Sequence, residues 1–77
     1  MPGVWNYSWF MNLKINGDER SFAENELSVV DLLKHLDLEG IPVVVERNEE
    51  AMLPREHATA KLEDGDRLEI VRVVAGG

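Results

Sequence analysis

Cysteine is absent from this 77-residue chain. That excludes disulfides, thiolate nucleophiles and cysteine-ligated metals, and it suits a reducing compartment, so a cytoplasmic location is expected. Histidine is scarce: only His35 and His57 occur. They lack His-x-x-x-His spacing, so no metal site is expected. Basic residues number 8 against 15 acidic ones, for a formal net charge of -7. Such a surface repels phosphate backbones, and no nucleic-acid partner is expected. The same acidity suits docking to a basic protein surface, and equally serves solubility. No apolar run is long enough to cross a bilayer, and no charged segment followed by an apolar stretch opens the chain. Neither membrane insertion nor secretion is therefore expected. No nucleophile–base pair or phosphate-binding loop can be found. A domain this small has little core to give up to an active-site cavity. A carrier or binding role, with no cofactor bound by the chain itself, fits better than an independent enzyme.

The first ten residues, MPGVWNYSWF, carry no charge and hold four of the five aromatics: Trp5, Tyr7, Trp9 and Phe10. Residues 1–10 read as an extension, from cloning or from an upstream start codon, with Met11 as a candidate second start. The alternative is an aromatic segment that packs on the domain or on a partner. Residues 11–77 make a complete pattern without it.

Leu13 and Ile15 alternate with Asn12, Lys14 and Asn16, the period of a half-buried strand. Asn16-Gly17 tolerates positive φ at both positions and predicts a tight hairpin turn. A second strand is predicted near Arg20 to Ala23, with Phe22 facing inward. Ser28 is placed to cap a helix, with Asp31 at the reciprocal position. Val29, Leu32, Leu33 and Leu36 form one apolar stripe, and Gly40 and Pro42 are expected to end the helical region. Val43, Val44 and Val45 predict a central strand, and Asn48-Glu49-Glu50 a polar turn. Met52 and Leu53 predict a short strand that Pro54 stops, and Leu62 is expected to be buried. Asp64-Gly65-Asp66 predicts a turn, with Asp66 bonding backbone amides there. Arg67 to Val73 is the last predicted strand, with Leu68 and Ile70 on one face and Glu69, Val71 and Val73 on the other. One helix with a single apolar stripe must pack across one face of one sheet. The fold class is therefore α+β, of β-grasp type. A mixed sheet of four to five strands packs on one main helix, over residues 11–75.

The last strand runs directly into VVAGG. Glycine lacks Cβ, so Gly76-Gly77 can form a thin, flexible tail able to enter a narrow channel in another protein. A carboxylate is a poor electrophile until one oxygen becomes a good leaving group, which adenylation supplies. A terminal Gly-Gly by itself is equally a frayed end; its attachment to the last strand of such a domain makes it a candidate reactive group.

Four segments carry a resemblance to a known family: MNLKINGDER, LSVVDLLKHL, the LPRE segment at Leu53 to Glu56, and LEDGDRLEIVRVVAGG. Over residues 11–77 the chain resembles the sulfur carriers of thiamine biosynthesis (ThiS), within the ubiquitin-like β-grasp group. The LPRE segment and the DGD turn help separate these from the related carriers of molybdopterin synthesis. The resemblance implies that a ubiquitin-activating-type adenylyltransferase uses ATP to adenylate Gly77. Sulfur from a donor enzyme then gives a thiocarboxylate, and thiazole synthase accepts the sulfur. On this reading the chain is a cosubstrate without catalytic residues of its own.

Two stretches depart from the family. Arg47 to Ala51 is one residue longer than the common Asn-Gly-Glu turn, and His57 stands where a Trp often follows the Pro-Arg segment. His35 reads as an ordinary helix-surface residue. Glu49-Glu50 and Glu63-Asp64-Asp66 could pair carboxylates for acid–base work, or simply be solvated turns. Val71 and Val73, with Ala75 beyond them, are the candidate docking residues, since one helix leaves the opposite sheet face uncovered. Packing at the strand end, or against the N-terminal aromatics, is the alternative. Two other functions stay open: a carrier for molybdopterin or another sulfur-containing product, and a ubiquitin-like modifier linked through Gly77 to a lysine.

Overall fold

The computed structural model describes residues 10–74. The predicted N-terminal extension therefore lies outside the described residues except for Phe10, and so does the tail from Ala75 to Gly77. The elements run β1 (Met11–Ile15), β2 (Asp18–Phe22), α1 (Val29–His35), β3 (Val43–Arg47), β4 (Glu50–Ala51), a 3-10 turn at Pro54–Glu56, and β5 (Arg67–Arg72). The five strands form one sheet in the order β2-β1-β5-β3-β4. β1 and β5 are parallel, and every other pair is antiparallel.

The first hairpin follows from its turn. Asn16 and Gly17 take φ 50° and 89°, and the register Ile15↔Asp18 through Met11↔Phe22 closes over that two-residue loop. β2 occupies Asp18–Phe22, two residues ahead of its predicted start, because the tight turn forces pairing to begin at once. Along β1, Met11, Leu13 and Ile15 are buried while Asn12 and Lys14 are exposed.

The helix begins as its sequence requires. The Ser28 hydroxyl accepts from the Asp31 amide, and the Asp31 carboxylate accepts from the Ser28 amide, both at 3.1 Å. Those bonds, the one from the Ser28 backbone first, hold the Asp31 carboxyl below its usual pKa. The buried stripe is Val29, Leu32 and Leu33, with Leu36 partly buried. The end differs from expectation: the helix stops at His35, ahead of Gly40 and Pro42. Asp37 takes φ 60° there. The Leu38 amide reaches Leu33 O at 2.8 Å and the Asp37 amide reaches Lys34 O at 3.2 Å. This is a Schellman termination with aspartate in the position glycine usually fills.

The valine run is a half-buried strand, with Val45 buried, Val43 partly so and Val44 exposed. β3 is interior to the sheet, but the middle position belongs to β5. The second hairpin turn is Asn48-Glu49, at φ 51° and 73°. Glu50 is already paired with Arg47, so the short strand is Glu50–Ala51 and not Met52–Leu53. Pairing begins next to the turn, which shifts the strand two residues earlier than the apolar pattern suggests.

α1 crosses one face of the sheet. Between them lie Leu13, Val45, Leu68 and Ile70 from the strands, with Leu27 and Leu62 from the flanking loops. The Leu62 amide bonds Leu27 O at 2.7 Å, which ties the irregular 55–63 segment to the start of the helix. Burying such a side chain contributes roughly 1.5–3 kcal/mol. Among the described residues no element packs on the other sheet face.

Candidate functional site

β5 carries the chain towards its C-terminus, and both of its ends are secured. At the start, Asp66 is 6% exposed, accepts three hydrogen bonds and forms an ion pair with Arg47. Arg47 Nε and Nη2 reach it at 2.8 Å, the Glu63 amide at 2.8 Å and Asn48 Nδ2 at 3.0 Å. Burial pushes the Asp66 carboxyl up. The donors from Asn48, Glu63 and Arg47 outweigh it and hold the group below its usual pKa. Asn48 also accepts from the Arg67 amide at 2.9 Å, so the β3–β4 turn is fastened to the first residue of β5. The expected bond from a turn amide to Asp66 is thus present, but the carboxylate chiefly joins three segments of chain.

At the far end, Val71 pairs with Val44 and Arg72 with Val43. The Val73 amide then donates to Pro42 O at 3.0 Å. On the β1 side, the Asn16 carboxamide bonds both backbone groups of Ile70. The domain therefore holds the chain firmly as far as Val73, immediately before the Val74-to-Gly77 segment.

The uncovered sheet face is zoned along β5. Lys14 and Arg67 are neighbours in the β1–β5 register. Two residues on, Glu46 and Glu69 stand directly opposite each other, a like-charge arrangement that is unfavourable in isolation. Two residues further, Val44 faces Val71. Val71 is 59% exposed, Val73 50%, Val44 49% and Val74 81%. Exposed valines thus collect at the C-terminal end of β5. The predicted docking residues Val71 and Val73 lie there; Ala75 falls outside the described residues. Val44 is the member that sequence reading missed. Three consecutive valines do not reveal which one faces out until the β3–β5 register is known.

The other candidates have structural work. His35 Nε2 is 2.7 Å from Glu24 Oε1, and its ring lies 5.2 Å from that of Phe22. It is a helix-surface residue, as expected, but one tied to the β2–α1 connection. His57 Nε2 is buried without a hydrogen-bond partner among the described residues. Asp64 accepts from the Asn12 amide at 2.7 Å, so it and Asp66 serve backbone positions and do not form an acid–base pair. Among the described residues no group of histidine and carboxylate side chains could hold a metal ion, and no helix is long and apolar enough to cross a membrane.

Comparison with known proteins places this geometry. The chain is 42% identical over 67 residues to a thiazole synthase of Paramagnetospirillum magneticum; the match covers 87% of this chain but only about a fifth, 20%, of that protein's length. It is 35% identical over 65 residues to the sulfur carrier protein ThiS of Bacillus subtilis, covering 84% of this chain and 98% of that one. The crystal structure of a thiamine biosynthesis protein (ThiS) from Geobacter metallireducens superposes with a TM-score of 0.75 at 30% identity, over 87% of this chain and all, 100%, of that chain. That fold likeness agrees with the five-stranded mixed sheet and single helix described above. The ThiS family model matches residues 13–77, from the second core residue of β1 through the terminal Gly-Gly, and the chain belongs to the ThiS family.

Proposed function

We propose that this chain is a sulfur carrier for thiazole formation in thiamine biosynthesis, working through the carboxylate of Gly77. The observation that carries the reading is the continuity of the family match through residue 77 with a domain that fixes its chain up to Val73. Near-complete coverage of the Bacillus subtilis sulfur carrier supports the carrier role. In the reaction sequence, a Gly77 oxygen attacks the α-phosphorus of ATP, and pyrophosphate leaves. Sulfide delivered by a donor enzyme attacks the resulting acyl carbon, and AMP leaves with the C–O bond's electron pair. The thiocarboxylate so formed is a nucleophile at the end of a protein arm. ATP and the catalytic groups belong to the adenylyltransferase, and the domain supplies recognition and aim.

The exposed valines at the root of the arm are the proposed docking surface for the adenylyltransferase and for thiazole synthase. Similarity to a segment of a protein named thiazole synthase supports that partner. The Glu46–Glu69 pair beside the valines suits a partner presenting basic side chains there. A cytoplasmic location belongs to the same proposal, consistent with the absence of cysteine.

Intact-protein mass spectrometry tests the reading. After incubation with a ThiS-activating adenylyltransferase, ATP and a sulfur donor, one oxygen of the chain should be replaced by sulfur. Deleting Gly77 should abolish the exchange. Absence of exchange with every such enzyme tried defeats the proposal, and lysine-linked adducts in its place favour a protein modifier.

A further inference from the structure

β1 and β5 run side by side for only two residue pairs, Lys14↔Arg67 and Ile15↔Leu68. Past Ile15 the chain turns away through Asn16-Gly17, while β5 continues to Arg72. In an antiparallel ladder, alternate residues direct their backbone groups to opposite edges of the strand. The Val73 amide bonds towards the β3 side, at Pro42 O, so Ile70 directs its N–H and C=O towards the side that β1 has left. Buried or half-buried backbone groups need partners. The Asn16 side chain takes the place of the missing strand. Its backbone amide donates to Leu68 O at 2.9 Å. Its Oδ1 accepts from the Ile70 amide at 2.8 Å, and its Nδ2 donates to Ile70 O at 3.2 Å. One carboxamide thus satisfies both backbone groups of one β5 residue. It is the last tie on that edge, among the described residues, before the exposed Val71-to-Val74 stretch.

We propose that Asn16 is a positioning residue for the carrier reaction: its carboxamide clamps β5 at Ile70 and fixes the direction in which the C-terminal arm leaves the sheet. The role rests on the reading that Gly77 is the reacting end. A turn residue needs only to tolerate positive φ, which glycine does at least as well as asparagine. The turn itself therefore does not require this side chain, whereas the clamp does. Only four residues separate Val73 from the end of Gly77, so on that reading an angular error at Ile70 is carried to the reacting carboxylate. Misplacing a reacting group by about 1 Å costs up to about a hundredfold in rate.

The test compares wild type with Asn16→Gly, which keeps the turn and loses both clamp bonds, and Asn16→Asp, which keeps only the acceptor. ATP–pyrophosphate exchange is measured against carrier concentration, using an adenylyltransferase that activates the wild-type chain. The temperature is set well below each unfolding midpoint. The docking face is untouched, so KM should stay within about twofold while kcat falls by about three- to tenfold in Asn16→Gly, the scale of one net hydrogen bond. Asn16→Asp should lie between the two. Amide exchange at Ile70 should rise in the same order, with protection at Leu13 and Val45 retained. Unchanged kcat in Asn16→Gly overturns the positioning role, as does unchanged protection at Ile70. A loss of rate that vanishes when scaled to the folded fraction shows a merely structural residue and also overturns it. A wild-type chain activated by no such enzyme defeats the carrier reading and the positioning role together. Normal activation of wild type with equal variants defeats the positioning role alone.

Discussion

Replacing Asp66 by alanine should remove most of the stability of this domain. The side chain is 9% exposed and accepts from Arg47, Asn48 and the Glu63 amide. Alanine leaves the Glu63 N–H and one Asn48 N–H without their acceptor. The Arg47 guanidinium, whose side chain is 24% exposed, keeps only its 2.9 Å bond to Lys61 O. Removing one partner of a buried ion pair costs about 3–5 kcal/mol, and each orphaned buried donor about 1–3 kcal/mol. Water reaches part of Arg47, so the full sum is not realised and the expected loss is about 2–4 kcal/mol. A domain of this length holds roughly 3–5 kcal/mol in total. Urea denaturation followed by far-ultraviolet circular dichroism measures the change. A loss below about 0.5 kcal/mol, the range of an ordinary surface substitution, refutes the account of Asp66 as the junction of β3, the Glu63 turn and β5. The pH dependence provides a second check. The folded state holds the Asp66 carboxyl below its usual value, which in the unfolded chain is about 3.9. Its contribution is therefore complete above the unfolded value and is lost as pH falls through the lowered folded value. The stability gap between wild type and Asp66→Asn should be constant near neutrality and should narrow below about pH 4.

Other perturbations separate fold from function. Val71→Glu places a charge among the exposed valines, and should block activation by the adenylyltransferase while changing stability by no more than about 0.5 kcal/mol; normal activation would remove the valine face as the docking surface. Glu49 and Asp37 hold φ 73° and 60°, conformations that disfavour side chains by roughly 1–2 kcal/mol. Part of that is offset by the chain entropy glycine adds to the unfolded state. Glu49→Gly and Asp37→Gly should each raise stability by about 0.5–1 kcal/mol, read as a higher urea midpoint; a lower midpoint for both would show that their side chains matter more than their backbone strain.

Much of this fold is legible in the sequence. Asn16-Gly17 dictates a two-residue hairpin, Ser28 with Asp31 dictates a helix start, and the alternation of Leu13 and Ile15 dictates which face of β1 is buried. These are local effects: turn torsions, capping bonds and side-chain periodicity act over a few residues, so a few residues disclose them. The Gly76-Gly77 pair is likewise visible at once, and the proposed role rests on it. What the sequence left undetermined depends on register between distant segments. Arg47 and Asp66 meet only because β3 lies against β5. Val44 joins Val71 for the same reason, and Asn16 reaches Ile70 across 54 residues of chain. The helix end and the start of β4 depart from the expected positions because Asp37, Asn48 and Glu49 adopt left-handed torsions without being glycine. Local pattern thus specifies one sheet, one helix and the turns between them; only the packed fold shows how β5 is held as far as Val73, because it joins groups whose attraction depends on distances no local pattern encodes.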